Sequence, residues 1–239
     1  MFGAICAALY QRTHTGRGQR VQISMRSGIL NLCRVKLRDQ QRLEHGPLAE
    51  YPNEEFGDFV PRSGNASGGG QPGWAVRCKP TTEKGANAWV YIVIQPQVWE
   101  PLMHLIGRPE LIENPDYATP EARLPHLQDI FDVIEQWTLK RTKWEAFSAL
   151  NEINVPCGPV LSTKDLIEDE GLRAEGVIVD VDHPERGTYS TVGCPFTLSD
   201  SPVEVKRSPL LGEHNGEILE ELLDIPESEL ERLTAAGAV

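Results

Sequence analysis

The chain of 239 residues lacks the features by which several protein classes are recognised from sequence. It has no excess of basic residues, because the formal net charge is -12 and the isoelectric point is near 5.0. This acidity argues against nucleic acid or an anionic membrane as a partner, since both attract a basic surface. No apolar run approaches the length of a membrane span, and the N-terminus lacks the basic region of a signal peptide. We therefore expect a cytoplasmic protein.

Motifs for metal, redox and serine chemistry are also missing. The cysteines are too far apart for a zinc knuckle or a CxxC redox pair, so we expect reduced, unpaired and mostly buried thiols at Cys6, Cys33, Cys78, Cys157 and Cys194. The histidines show no HExxH spacing, and we expect no metal site. No GxSxG motif is present, which argues against a hydrolase of that type.

The opening segment, Met1–Tyr10, has almost no polar residues and no N-cap. It predicts a helix that is apolar on nearly every face, and such helices are normally buried. A protein that starts with such a helix lacks the packing partners that the helix needs. We therefore expect the chain to be a piece of something longer, with those partners upstream.

Hydrophobic periodicity predicts a strand at Arg20–Met25 and a long helix at Ser27–Leu43. One stripe of this helix contains Ile29, Leu32, Cys33, Lys36 and Leu37. The opposite side carries Arg34, Arg38, Gln41 and Arg42. Because most acidic residues lie elsewhere in the sequence, we expect this basic face to pair with another segment or subunit.

The remainder predicts an α/β fold. Strands are expected at Trp74–Cys78, Trp89–Gln95, Val177–Asp182, Thr188–Gly193 and Val203–Lys206. Helices are expected at Gln97–Ile106, after the cap Thr119-Pro120, after the capping box Thr142–Glu145, and at Thr163–Glu170, Gly216–Leu223 and Ser228–Thr234. The helix after Thr119 carries an inward stripe of Leu127, Ile130, Phe131, Ile134 and Trp137.

The stretch Ser63–Trp74 contains the only sequence pattern that suggests a functional site, which is three consecutive glycines followed by Gln71. We call Gly68–Gln71 the glycine loop. A flexible linker is one interpretation, because glycine loses much backbone entropy on ordering. The other is a ligand-binding loop, since the run is short and leads directly into an apolar strand. It is not a Walker phosphate loop, because no Lys-Ser/Thr pair follows.

Two other features are weighed against simpler explanations. Cys157 lies between prolines with no histidine close in sequence, so a packed thiol is favoured over a nucleophile. A base that is distant in sequence but close in space stays open. The acidic run Asp165, Glu168, Asp169 and Glu170 is typical of a solvated helix face rather than a catalytic pair.

Several motifs together resemble the formyl-CoA:oxalate branch of the class III CoA-transferase family. The matching stretches are Thr15–Gln19, Asn31–Leu43, Gly64–Trp74, Pro156–Val160, Thr191–Pro195 and Pro209–His214. The resemblance covers essentially the whole chain. The resemblance implies that residues 1–45 are the remnant of a large Rossmann-like domain and that residues 46–175 form a smaller α+β domain. Residues 176–239 would form linker strands and then lead the chain back into the large domain.

The resemblance implies that CoA moves from formyl-CoA to oxalate, yielding formate and oxalyl-CoA through an aspartyl-CoA thioester. Coenzyme A thioester would be a substrate, with no permanently bound cofactor. Gly68, Gly69, Gly70 and Gln71 would bind substrate beneath a loop that shields the thioester, in an interlocked homodimer. The nucleophilic aspartate of the family would lie upstream of Met1, so no catalytic residue is assigned, and we expect the isolated chain to be inactive.

One position departs from the family pattern, which usually has a further glycine where this chain has Ser67. Serine restricts φ, so loop motion would be less free. Two alternatives stay open. One is a class III member that acts on a different carboxylate or acyl-CoA. The other is a non-catalytic fragment that associates with an intact subunit.

Overall fold

The computed structural model describes residues 1–48, 51, 58–67, 72–82 and 87–238. The chain divides into two compact units, Met1–Val160 and Leu161–Val239. This division leaves the boundaries expected at residues 45 and 175 as predictions. Among the described residues, no helix is both long enough and apolar enough to cross a membrane.

The first unit opens with helices α1 (Phe2–Thr15), α2 (Met25–Leu32) and α3 (Arg34–Arg42). The helix expected at the start is therefore present and extends to Gly16, whose φ of 68° ends it. Its expected burial is not seen in this chain, because α1 has no buried residue and exposes Phe2 and Tyr10 by more than 60%.

The strand expected at Arg20–Met25 is absent, and this prediction was wrong. The side chain of Ser24 accepts a hydrogen bond from the backbone N–H of Ser27 (3.1 Å), which makes Ser24 the N-cap of α2. Met25 therefore begins a helix. The expected long helix is also interrupted, because Cys33 has ψ of 3° and separates α2 from α3.

The core of the first unit lies between a small sheet and helices. Its strands are β1 (Gly73–Arg77), β2 (Trp89–Val93) and β3 (Cys157–Pro159), and its helices are α4 (Trp99–Ile106), α5 (Pro120–Arg123), α6 (Leu127–Thr138) and α7 (Lys143–Glu152). Short 3-10 turns occupy Leu43–His45, Pro96–Val98, Pro109–Leu111, Pro115–Tyr117 and Leu124–His126. In the described part of the chain, β2 pairs antiparallel with both β1 and β3.

The apolar stripe predicted for this region is confirmed, but the single helix expected after Thr119 is divided into α5 and α6 by the 3-10 turn Leu124–His126. The apolar stripe of α6 is buried throughout: Leu127, Ile130, Phe131, Ile134 and Trp137. Thr119 caps α5 by accepting from Ala122, and Thr142 forms the expected capping box with Glu145. Burial of these side chains against β1 and β2 forms one contiguous hydrophobic cluster.

The second unit contains a hairpin and short helices. Its elements are α8 (Thr163–Glu168), α9 (Glu170–Ala174), β4 (Ile178–His183), β5 (Gly187–Val192), α10 (Asn215–Leu223) and α11 (Glu227–Ala235). The hairpin and the last two helices agree with the sequence predictions. Val203–Lys206 forms no strand, because β4 and β5 pair only with each other among the described residues and offer it no partner.

The helix expected at Thr163–Glu170 is instead divided at Asp169. The backbone of Asp169 is extended, and its carboxylate accepts a hydrogen bond from the N–H of Leu172 at 2.8 Å. Asp169 is therefore the N-cap of α9, which begins at Glu170.

Candidate functional site

The glycine loop connects two segments that pair with each other. Gly68, Gly69, Gly70 and Gln71 themselves lie outside the described residues. On either side of them, the backbone N–H of Ser67 donates to the carbonyl of Gly73 at 2.8 Å. The N–H of Ala75 donates to the carbonyl of Asn65 at 2.9 Å. The segments before and after the loop are thus held side by side, as antiparallel neighbours are.

The segment after the loop is anchored in the core. Trp74 is buried in β1 and its ring stacks on Phe131 of α6, with 5.0 Å between centroids. The carbonyl of Pro72 accepts a hydrogen bond from the N–H of Ile94 at 2.8 Å. The backbone hydrogen bonding between β1 and β2 therefore extends one residue beyond each strand, to Pro72 and Ile94.

The segment before the loop is attached to α3. Lys36 Nζ donates to the carbonyl of Ser67 at 3.3 Å and to the hydroxyl of Tyr51 at 2.7 Å. One turn later, Gln40 Nε2 donates to the carbonyl of Asp58 at 2.6 Å. Lys36 and Gln40 are four residues apart and share one helix face. This face of α3 therefore holds the chain that leads to the loop.

Asp39, on the same face, is a fully buried carboxylate. Its Oδ2 accepts a hydrogen bond from the Tyr51 hydroxyl at 2.6 Å, and its Oδ1 lies 3.2 Å from both Arg38 and Arg42. Burial raises the pKa of Asp39, but the hydrogen bonds from Tyr51, Arg38 and Arg42 outweigh it and hold this pKa below its ordinary value. The group is therefore an anion at neutral pH.

This arrangement gives part of the basic side of the helix a partner within the helix itself, and the expected pairing of that side with another segment or subunit stays a prediction. Arg42 lies three residues after Asp39 on the same helix surface, and Arg38 is the residue directly before Asp39; both guanidinium groups bind its Oδ1 at 3.2 Å. The sequence shows a single acid among these bases, and that was the available signal. Nothing in the sequence links Tyr51 to Asp39.

The residue before the loop, Ser67, has a φ outside the left-handed region. Its backbone conformation therefore tolerates a side chain, and glycine is not required there by strain. Gly73, after the loop, is different. A Cβ at Gly73 would lie 2.2 Å from Tyr91 Oη and 3.3 Å from Ser67 Oγ.

A cavity of about 190 Å³ lies beside Pro72. Most of its lining is apolar, and the residues are Pro72, Val93, Ile94, Gln95, Pro96, Pro120, Arg123, Leu127 and Ile130. The Arg123 guanidinium lies 4.1 Å above the Trp99 ring and donates from Nε to the carbonyl of Tyr117 at 2.6 Å. Burial lowers the pKa of Arg123. These contacts give the buried guanidinium of Arg123 a structural role, because they join it to Trp99 and Tyr117.

Cys157 is a packed thiol, as the sequence favours. Its Sγ faces the carbonyl of Phe147 at 4.0 Å, and burial raises its pKa. A thiol with a raised pKa is protonated at neutral pH and is a poor nucleophile. Within the part of the chain that the structure describes, no group of histidine, cysteine and carboxylate side chains has the arrangement of a metal site.

The sequence assigns the chain to a class of protein, and its fold agrees. A family model described as "CoA-transferase family III" matches residues 1–215, and the chain belongs to that family. Solved structures agree on the fold. A CAIB/BAIF family protein from Brucella suis superposes with a TM-score of 0.65 at 22% identity, over 92% of this chain and 52% of that one. A Mycobacterium tuberculosis protein in an orthorhombic crystal form gives 0.59 at 20% identity, over 89% and 51%.

Curated relatives are more similar in sequence. A protein of Streptomyces coelicolor named formyl-CoA:oxalate CoA-transferase is 61% identical over 235 residues, which is 98% of this chain and 57% of that protein. Proteins of the same name from Streptomyces avermitilis and a Bradyrhizobium species are 60% and 55% identical. The chain thus spans little more than half the length of these relatives and corresponds to their C-terminal part.

Proposed function

We propose that this chain is part of an enzyme that moves CoA from formyl-CoA to oxalate and releases formate and oxalyl-CoA. The observation that carries the proposal is the 61% identity to the Streptomyces coelicolor protein of that name over nearly the whole of this chain. The match spans 98% of this chain and is therefore not confined to one motif.

The proposed chemistry is an acyl exchange split into easier steps by a carboxylate nucleophile. The carboxylate attacks the formyl carbonyl and expels CoA thiolate, which then attacks the resulting anhydride to give aspartyl-CoA thioester and formate. Oxalate attacks this thioester, thiolate leaves again, and its return to the oxalyl carbonyl gives oxalyl-CoA and restores the aspartate. We propose that this aspartate comes from outside these 239 residues.

Gly68, Gly69, Gly70 and Gln71 are the proposed substrate-binding residues of this chain. Backbone N–H groups of the glycines would stabilise the oxyanions that form at the acyl carbonyl, and the Gln71 amide would hydrogen-bond a carboxylate of the acceptor. The described structure supports the location, because Ser67 and Gly73 hold the two ends of this stretch together through a 2.8 Å backbone hydrogen bond.

A chimera tests the function. The part of the Streptomyces coelicolor relative that this chain does not match is fused to the 239 residues, and formation of oxalyl-CoA from formyl-CoA and oxalate is followed. We expect transfer at a rate comparable to that of the Streptomyces enzyme, and little transfer by the 239-residue chain alone. Gln71→Ala in the chimera should lose most oxalate turnover. A chimera that folds but prefers another carboxylic acid in direct competition would contradict the proposed acceptor.

We also propose that the intact enzyme is an interlocked homodimer, and the first helices support this. Large apolar side chains on α1 and α2 are exposed in the isolated chain: Phe2 67%, Leu9 54%, Tyr10 69%, Met25 86% and Leu32 78%. So many exposed large apolar side chains on two successive helices are typical of a surface that other protein covers. Light scattering of the chimera should give the mass of two copies, and a monomer that retains transfer activity would rule out this assembly.

A further inference from the structure

We propose that Lys36, Asp39 and Tyr51 are positioning residues that fix the carbonyl of Ser67 and so set where the chain enters the glycine loop. Together we call them the α3 latch. The structural half of this proposal stands on the described residues alone. Its consequence for catalysis rests on the proposed function.

The hydrogen bonds of the α3 latch run in one consistent direction. Lys36 has only donors, Asp39 has only acceptors when ionised, and a tyrosine hydroxyl is both. The Tyr51 hydroxyl donates to Asp39 at 2.6 Å and accepts from Lys36 Nζ at 2.7 Å. Lys36 Nζ also donates to the Ser67 carbonyl at 3.3 Å. Every bond therefore reinforces the next.

The α3 latch is built around a charge that requires partners. Asp39 is fully buried, and an ionised carboxylate out of water is strongly unfavourable unless it is paired and hydrogen-bonded. Lys36 Nζ lies 3.9 Å from its Oδ2 and completes a set that includes Tyr51 and two arginines. Hydrogen bonds to ionised groups are shorter and stronger than neutral ones. Asp39 thus orients Lys36 and Tyr51 rather than leaving them as mobile surface side chains.

The same helix face makes a further attachment to the segment before Ser67. Gln40 binds the carbonyl of Asp58 through Nε2 and the N–H of Val60 through Oε1, at 2.6 and 3.1 Å. The segment is therefore held at its beginning by Gln40 and at its end by Lys36. Main-chain polar groups that are bonded to side chains in this way resist displacement.

The two ends of the glycine loop are held by different parts of the unit. The exit at Pro72 bonds to Ile94 and is followed by Trp74 in the core. The entrance at Ser67 bonds to Lys36 of α3 and, through its N–H, to Gly73. Loss of the α3 latch should therefore loosen the entrance while the exit stays protected.

Amide hydrogen exchange of the 239-residue chain, followed by NMR, tests this asymmetry. Lys36→Met should speed exchange at the amides of Ser67 and Ala75 by about tenfold, the scale of one lost hydrogen bond to a charged group. The amide of Ile94, which binds Pro72, should be unchanged. Lys36→Arg should restore most of the protection, and Tyr51→Phe should reproduce the loss. Lys164→Met, at an exposed lysine of α8, is the matched control and should change none of these amides.

Two results would overturn the positioning role. One is unchanged exchange at Ser67 in both Lys36→Met and Tyr51→Phe. The other is an equal acceleration at Ser67 and Ile94, because that indicates a general loss of stability rather than a local release.

Kinetics of the chimera separate this inference from the proposed function. Lys36→Met should lower kcat by about tenfold or more with little change in KM for formyl-CoA, since small misplacement of a site costs rate. Lys36→Arg should recover most of it. If the parent chimera transfers no CoA to oxalate, the proposed function fails, while the exchange data still decide the structural role. An active parent with an unchanged kcat in Lys36→Met overturns the catalytic consequence.

Discussion

Tyr91 of β2 fills the space that a side chain at Gly73 of β1 would occupy. A Cβ built on Gly73 lies 2.2 Å from Tyr91 Oη and 2.9 Å from Cζ, far inside van der Waals contact. Gly73 pairs with Val93 in the ladder, and Tyr91 pairs with Ala75. The tyrosine therefore leans diagonally across the face of the sheet towards the end of the glycine loop.

Gly73→Ala should destabilise the first unit by about 1–3 kcal/mol, because the added methyl forces Tyr91 to move. Urea unfolding of the single variants and of Gly73→Ala with Tyr91→Ala measures the coupling. In the Tyr91→Ala background the cost of Gly73→Ala should fall to a fraction of its value. Equal costs in both backgrounds would mean that Tyr91 is not the obstacle.

Glu135 of α6 joins the end of β1 to the helix. Its Oε1 accepts from Arg77 Nε at 2.9 Å, and its Oε2 accepts from the Arg77 N–H at 2.8 Å. Burial raises the pKa of Glu135, but these hydrogen bonds outweigh it and lower the pKa below the ordinary 4.5. Glu135→Gln should therefore lower the free energy of unfolding by about 1–2 kcal/mol at pH 7.

This contribution depends on pH with a defined sign. Because the folded pKa lies below the unfolded one, the stabilisation is complete above the ordinary pKa and is lost as pH falls through the folded value. The stability difference between the native chain and Glu135→Gln should shrink steadily below about pH 4. Glu152→Gln, at the exposed end of α7, is the control. If the stability difference between the native chain and Glu135→Gln stayed constant down to the pH at which the protein unfolds, the lowered pKa of Glu135 would be contradicted.

Glu213, in the motif Pro209–His214, should titrate far below an ordinary glutamate. Arg207 binds both of its carboxylate oxygens, and the N–H of Leu210 donates to Oε2 at 2.7 Å. The side-chain hydrogen bond from Arg207 is the main cause of a pKa lowered to about 2. Carbon-detected NMR titration should find this value, and Arg207→Met should move it most of the way back towards 4.5. An unchanged pKa in that variant would exclude Arg207 as the cause.

The cysteines should differ sharply in reactivity. The expectation that most thiols are buried was wrong, because Cys6 and Cys33 are exposed, Cys157 and Cys194 are half-buried, and only Cys78 is buried. The pKa of Cys78 is raised to about 11, first by burial and then by the charge of Glu135. At pH 8 very little of Cys78 is thiolate, the reactive form. A thiol-labelling reagent should modify Cys6 and Cys33 in the native chain within minutes, and Cys78 only after unfolding in urea. Rapid native labelling of Cys78, located by mass spectrometry, would contradict its burial.

The elements that the sequence predicted correctly are those with strong local signals. The stripe of α6, the capping box at Thr142 and the hairpin β4–β5 all follow from side-chain periodicity, caps and turns within a few residues. The errors occurred where two local signals competed. At Arg20–Met25 the alternation favoured a strand, but the cap at Ser24 started a helix. At Asp169 a second cap divided what had the pattern of one helix.

The surroundings of the candidate site were less predictable. The glycine loop is visible as composition, but its entrance depends on Tyr51 meeting Asp39 and Lys36, and no sequence period connects them. The same holds for positions where glycine is required because another part of the chain comes too close for a side chain. A Cβ at Gly193 would lie 1.9 Å from the carbonyl of Gly176, a restriction that appears only when the chain is folded. Long-range approaches of this kind need coordinates.

The pairing of β3 with β2 has a consequence for synthesis of the chain. β2 lies between β1 and β3, but β3 leaves the ribosome only after α4, α5, α6 and α7. Until Cys157–Pro159 arrives, one edge of β2 presents unpaired amides and carbonyls along a row of aromatic and β-branched residues. Such an edge recruits other chains. A nascent chain halted before Cys157 should therefore aggregate more readily, and bind chaperones more strongly, than one that extends past Pro159.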